Sequence, residues 1–144
     1  MPIPEFNDSG NLPAGEHHTN LLEVEAKLVF NERRQELFRG MQRTFEPLKI
    51  VGCQRIFIGG SFVTNKEFPG DFDICWQDDT VDFLKLQILD PVLVDFKNKR
   101  AAQKAKYGGE LFPASFIADG YKTYLEFFQL DRNGDAKGIV SINL

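Results

Sequence analysis

The sequence predicts a single α+β domain, and three observations carry that reading. Its 144 residues suit one hydrophobic core rather than two. With 42% hydrophobic and 26% charged residues the composition is globular, which excludes a disordered chain, a collagen-like repeat and a coiled coil. Segments of helical and strand character then follow one another in the order ααβ-loop-βααβαβ, the pattern of a mixed sheet with helices packed on it. Phenylalanine occupies 14 positions, enough large rings to fill a compact core without cross-links.

Residues 1–18 read as an irregular N-terminal arm and residues 19–144 as the folded domain. Pro2, Pro4, the run Asn7-Asp8-Ser9-Gly10, Pro13 and Gly15 all oppose regular structure in the arm. Thr19 or Asn20 caps a first helix carrying Leu21, Leu22, Val24, Leu28 and Val29. Asn31 caps a second, in which Leu37, Met41, Phe45 and Leu48 recur at helical spacing. Arg33, Arg34, Glu36, Arg39 and Arg43 cover its wet face, and Pro47 and Gly52 close it. Residues 54–58 and 72–76 are short strands, and residues 80–89 look helical. Asp90-Pro91, a cap followed by proline at the first helical position, starts a Lys- and Arg-rich helix to about Lys106, stopped by Gly108-Gly109. Glu110-Leu111-Phe112 is a third strand, ended by Pro113. Tyr121, Tyr124, Leu125 and Phe128 fit a further helix. After the turn Asp131-Arg132-Asn133-Gly134-Asp135, residues 137–144 alternate as a final strand. Ile139, Ser141 and Asn143 share one face, and Val140, Ile142 and Leu144 the other.

A net charge of −4 and a pI near 5.2 disfavour broad, phosphate-driven nucleic-acid binding. The run Lys97, Lys99, Arg100, Lys104 and Lys106 reads as a solvated helix face, with an RNA acceptor or an acidic partner as the alternative. Cys53 and Cys75 are too few for a disulfide framework or a zinc site, and free thiols are expected even if antiparallel strands bring them close. His17 and His18 are expected to make structural hydrogen bonds. No apolar run approaches the roughly 20 residues that span a bilayer. Met1-Pro2-Ile3-Pro4-Glu5 lacks the basic and apolar regions of a secretory signal, so the cytoplasm is the expected location.

The chemistry-bearing stretch runs from Ile58-Gly59-Gly60-Ser61 through Lys66 to Asp71-Phe72-Asp73-Ile74. A strand that ends in two glycines and a serine lets backbone N–H groups approach an anion closely, the more so if a helical turn begins at Phe62. On a strand, Asp71 and Asp73 project from the same face while Phe72 and Ile74 point into the core. Adjacent carboxylates repel unless a cation sits between them, and Mg²⁺ prefers such hard oxygen ligands. A phosphate cradle beside a metal site is the equipment for metal-assisted nucleotide transfer.

Gly60-Ser61, a short spacer and Asp71-x-Asp73, flanked by strands, resemble the signature of the DNA polymerase beta-like nucleotidyltransferase superfamily, most nearly its minimal bacterial branch. That likeness covers about residues 54–114. The whole chain also resembles a group of short bacterial proteins with an LPxGxH-like start, here Leu12-Pro13-Ala14-Gly15-Glu16-His17, and a GSFVTxKxxPxDxD core, here residues 60–73. The superfamily resemblance implies a nucleotidyltransferase-like mixed sheet with packed helices. It implies two Mg²⁺ ions on Asp71, Asp73 and a third carboxylate, and an NTP substrate, with ATP the first choice, whose phosphates lie on Gly60 and Ser61. Glu110 is the first candidate for the third carboxylate, and Asp95 and Glu126 rank behind it. Where the small branch has an arginine and another glycine, this chain reads Phe62-Val63-Thr64, and Lys66 is the candidate for the missing positive charge, with an ordinary loop lysine as the alternative. Lys137-Gly138 reads as a turn exit, with an ammonium near the phosphates as the alternative. The acceptor implied is a protein or RNA hydroxyl. A toxin–antitoxin or phage-defence setting, with a small cognate partner protein, follows from the same likeness. The rival expectation is a non-catalytic module of this fold that binds nucleotide or a partner.

Overall fold

A computed structural model describes residues 2–144. Five strands form one mixed sheet in the order β1-β7-β2-β3-β4: β1 (Gly15–Thr19), β7 (Gly138–Asn143), β2 (Arg55–Gly59), β3 (Phe72–Trp76) and β4 (Gly109–Pro113). The β1/β7 and β3/β4 pairs are parallel, and the β2/β7 and β2/β3 pairs are antiparallel. A separate hairpin is made by β5 (Ile117–Asp119) and β6 (Lys122–Thr123). The protein is thus an α+β domain.

Period-two alternation divides the sheet between two cores. One face turns Ile56, Ile58, Phe72, Ile74, Trp76, Leu111, Val140 and Ile142 into the larger core. There they meet Val24 and Leu28 of α1 (Leu21–Leu28), Leu37 and Met41 of α2 (Glu32–Gln42), and Leu48 of α3 (Phe45–Ile50). Leu86 of α4 (Phe83–Leu89) and Tyr107 of α5 (Lys97–Tyr107) complete the cover. The other face carries Phe57, Cys75, Phe112 and Ile139, covered by Tyr124, Leu125 and Phe128 in and beside the short α6 (Tyr124–Phe127). Asp73 and Glu110 alternate with core residues onto this second, thinly covered face.

Local signals set most of these boundaries. Asn20 caps α1 by accepting from Glu23 N, and Asn31 caps α2 by accepting from Arg34 N. Gly108, at φ 87°, closes α5 in the left-handed conformation that glycine adopts freely. Four expectations are corrected. The arm is irregular only up to residue 14, because residues 15–19 pair with β7 as a sheet edge. The helix expected to run through Leu48 breaks at Arg43 and Thr44, and Pro47 lies inside the second piece, α3. The helix expected from Asp90 is a 3₁₀ turn, Pro91–Val94, followed by α5. Residues 117–123 form a hairpin, leaving α6 only four residues.

His17 Nε2 lies 2.6 Å from the Pro13 carbonyl and His18 Nδ1 lies 2.9 Å from Ser141 Oγ, so both histidines have the structural role expected. β2 and β3 are antiparallel, but their register sets Cys75 opposite Phe57, and Cys53 precedes β2 altogether. Both thiols are free and buried, and burial pushes both pKa values up. No helix among the described residues is long and apolar enough to cross a membrane.

Candidate metal centre

Register builds the centre. Asp73 on β3 stands opposite Glu110 on β4 and opposite Gly59 on β2. Asp71, just ahead of β3, adds a third carboxyl, and one oxygen from each of the three lies within 4.8 Å of the others. Asp95 and Glu126 stay outside: Asp95 accepts from Lys97 N, and Glu126 forms a capping box with Thr123 at the start of α6.

Electrostatics separates the two aspartates from Glu110. Burial, then repulsion from Asp71 and Glu110, pushes the Asp73 pKa up to about 7. Burial, then Glu110, raises that of Asp71. Among the described residues, neither aspartate carboxylate accepts a hydrogen bond or forms an ion pair. Glu110 differs: Arg100 Nε reaches its Oε2 at 2.6 Å and Lys104 Nζ its Oε1 at 3.8 Å. Three hard oxygen ligands, two of them without a partner, are a donor set that fits Mg²⁺.

Gly60 closes the site from the β2 side. Its φ is 66°, and a Cβ there would stand 2.1 Å from Asp73 Oδ2, so the carboxylate rests where any side chain would be. The helix expected from Phe62 is a single 3₁₀ turn, Gly60–Val63. Its contribution is the approach of backbone rather than a helix dipole. Ser61 is half-buried on this turn and Lys66 is exposed on the loop beyond it. The Lys66 ammonium lies near enough to Asp71 to pull that carboxyl's pKa down, against the larger effect of burial.

The loop is held by a residue expected on a wet face. Arg34 is fully buried. Its guanidinium donates to the carbonyls of Leu28, Ser61, Phe62, Thr64 and Lys66 and lies 4.2 Å from the centre of the Phe30 ring. Burial alone lowers its pKa to about 10. Asn31 donates to Glu67 O and Arg33 to Pro69 O, extending the staple along the loop. From the other side Asn11 bridges Thr64, and Asn65 N donates to Gly10 O.

Two cavities meet at the centre. One, about 690 Å³, is lined by Gly60, Phe127, the cations Lys122, Arg132 and Lys137, and the acids Asp119 and Asp131 among others. Lys137 is half-buried there; burial lowers its pKa, and the neighbouring Asp73 carboxylate opposes that fall. The other, about 380 Å³, is lined by Asp73, Arg100, Glu110, Phe112, Tyr124 and Phe128 among others. Sequence reading missed Arg100 and Arg34. Neither sits in a motif, and each acquires its role from residues distant in the chain or from an unusual backbone.

Fold and site together define a small α+β domain that gathers carboxylates beside a glycine turn, between a larger cavity of mixed charge and a smaller aromatic-lined one. The chain belongs to the Family of unknown function (DUF6932), whose model matches residues 4–143. Neither the curated proteins nor the solved structures gave a match.

Proposed function

We propose that this protein is a Mg²⁺-dependent nucleotidyltransferase that moves a nucleoside monophosphate from an NTP, ATP being the first to test, to a protein or RNA hydroxyl. The observation that carries the reading is the convergence of Asp71, Asp73 and Glu110 within 4.8 Å beside Gly60. These three carboxylates would hold two Mg²⁺ ions, which when bound supply charge neutralisation of a triphosphate and a lowered pKa for an attacking hydroxyl.

The chain's own residues do the rest. Gly60 keeps the approach to Asp73 free of side chain. Lys137, Lys122 and Arg132 in the larger cavity supply positive charge for the phosphates, and Phe127 offers a ring for a base. Ser61 and Lys66 border the same turn. The acceptor oxygen bonds to the α-phosphorus, the bond to the bridging oxygen breaks, pyrophosphate leaves, and the acceptor proton passes to water. The resemblance to minimal nucleotidyltransferases adds a cytoplasmic toxin–antitoxin or phage-defence pair with a small cognate partner protein.

The test is incubation with each α-labelled NTP, Mg²⁺ and cell extract, comparing the native chain with Asp71→Ala and Asp73→Ala. Label transfer lost in both variants is the expected result, and equal labelling by all three chains overturns the proposal. One observation favours a second reading, a non-catalytic nucleotide-binding module: Glu110 already engages Arg100 and Lys104. That reading expects NTP to raise the melting temperature without any labelled product.

A further inference from the structure

Beside the carboxylates, α5 opens on backbone that its own sequence does not call for. Asn98, Lys99 and Arg100 have φ of 51°, 54° and 59° with ψ of 46°, 42° and 36°, a left-handed turn of three consecutive residues, none of them glycine. In such backbone each Cβ crowds the following carbonyl oxygen, so single residues visit it and runs do not. Asn98 and Lys99 are exposed, so burial of their side chains does not hold the turn in place.

What the turn does is aim Arg100. Its Nε donates to Glu110 Oε2 at 2.6 Å while its guanidinium lies 4.4 Å from the centre of the Phe112 ring. The rest of α5 is anchored separately. Gln103 donates to Leu93 O and accepts from Leu111 N, and the Tyr107 hydroxyl donates to Asp90. Strain is therefore confined to the first turn, next to the one carboxylate of the three that is already paired.

We propose that residues 98–100 are a sprung latch in which Arg100 and a divalent cation compete for Glu110. A cation held by Asp71, Asp73 and Glu110 repels the guanidinium from Oε2, and its release lets the three residues relax to right-handed backbone, so that the first turn of α5 becomes regular helix. This rests on the reading of the carboxylates as a metal centre and is independent of nucleotidyl transfer.

Titration calorimetry of the full chain with Mn²⁺ and Mg²⁺ tests it, together with far-ultraviolet circular dichroism. Asn98 is exposed and uncharged, so its variants act on the turn and not on the charge of the centre. Asn98→Ala, which disfavours left-handed backbone, is expected to tighten cation binding about threefold, and Asn98→Gly, which eases it, to weaken binding about twofold. Arg100→Gln removes the competitor and tightens binding about tenfold, more than Lys104→Gln, which removes the same charge without touching the turn. Saturating cation raises the helical signal of the native chain. Equal affinities for Asn98→Ala and Asn98→Gly, or no gain in helical signal, overturn the latch. Failure of the native chain to bind either cation overturns the latch and the metal centre together. Cation binding with the expected shifts but no labelled product from any NTP keeps the latch and overturns the transfer reading.

Discussion

Arg34 and Arg100 lie on opposite flanks of one acidic centre and do opposite work. Arg34 issues from a regular, capped helix and gives its guanidinium to five backbone carbonyls, four of them in the loop after Gly60. Arg100 issues from a left-handed turn, pairs with a single carboxylate oxygen and remains partly exposed. One arginine fixes a wall of the site. The other pairs with the carboxylate that the proposed metal centre would share. A guanidinium matched to several carbonyls is a structural fastening, whereas one matched to a single carboxylate is the contact that the proposed latch would exchange for a dication.

The comparison breaks most plainly at Arg34. Arg34→Met takes the donor from the buried carbonyls of Leu28 and Phe62 and from part-buried ones beyond them, and is expected to cost about 3–5 kcal/mol in denaturant unfolding, with Arg34→Lys rescuing little because an ammonium cannot reproduce the fork. A loss below about 1 kcal/mol would mean that the loop is held by other contacts. Next comes Gly60→Ala, where positive φ and the clash with Asp73 act together. A cost of about 2–3 kcal/mol and loss of Mn²⁺ binding by calorimetry are expected.

Asp73→Asn tests the centre between the two flanks and should stabilise the protein. The folded pKa of Asp73, about 7, lies above its unfolded value of 3.8, so between these the native state binds more protons and stability falls as pH rises. The penalty is complete above pH 7 and absent below about pH 4. Burial sets most of it, followed by Asp71 and Glu110, and Lys137 and Arg100 oppose it. Asparagine should therefore gain about 1–3 kcal/mol at pH 8 and nothing near pH 4. Thermal melts across that range check the sign. Cation affinity of the native chain should rise with pH up to about 7, because the proton and the metal share Asp73. The smallest effect is expected from Lys104→Ala, a half-exposed ammonium 3.8 Å from its partner, at under about 0.5 kcal/mol in unfolding.

The sheet side of the centre was readable from sequence because strand alternation is local. Phe72 and Ile74 had to face a core, which put Asp71 and Asp73 together, and the glycine pair ahead of Glu110 started the strand that pairs with β3. The two arginines were not readable in the same way. Arg34 lies among Arg33, Gln35 and Glu36 in a polar stretch whose pattern says solvent. Its burial is decided by carbonyls some 30 residues on, a non-local match that periodicity cannot see. The left-handed turn at 98–100 lacks the glycine that normally announces positive φ, and its residues favour an ordinary helix. Residues 117–123 form a hairpin because Gly120 reverses the chain with φ 57°, a turn signal that the neighbouring tyrosine spacing obscured.

The pairing of β1 with β7 carries a practical consequence for anyone trimming the protein. Leu12 is wholly inaccessible to solvent and its carbonyl takes the Gly138 amide, while residues 15–19 cover the flank of β7. A fragment started at Thr19, the boundary that composition suggests, would strip that flank bare and unclamp Asn65 from Gly10. An uncovered strand recruits neighbouring chains, so such a fragment should precipitate on expression to a greater extent than the intact chain.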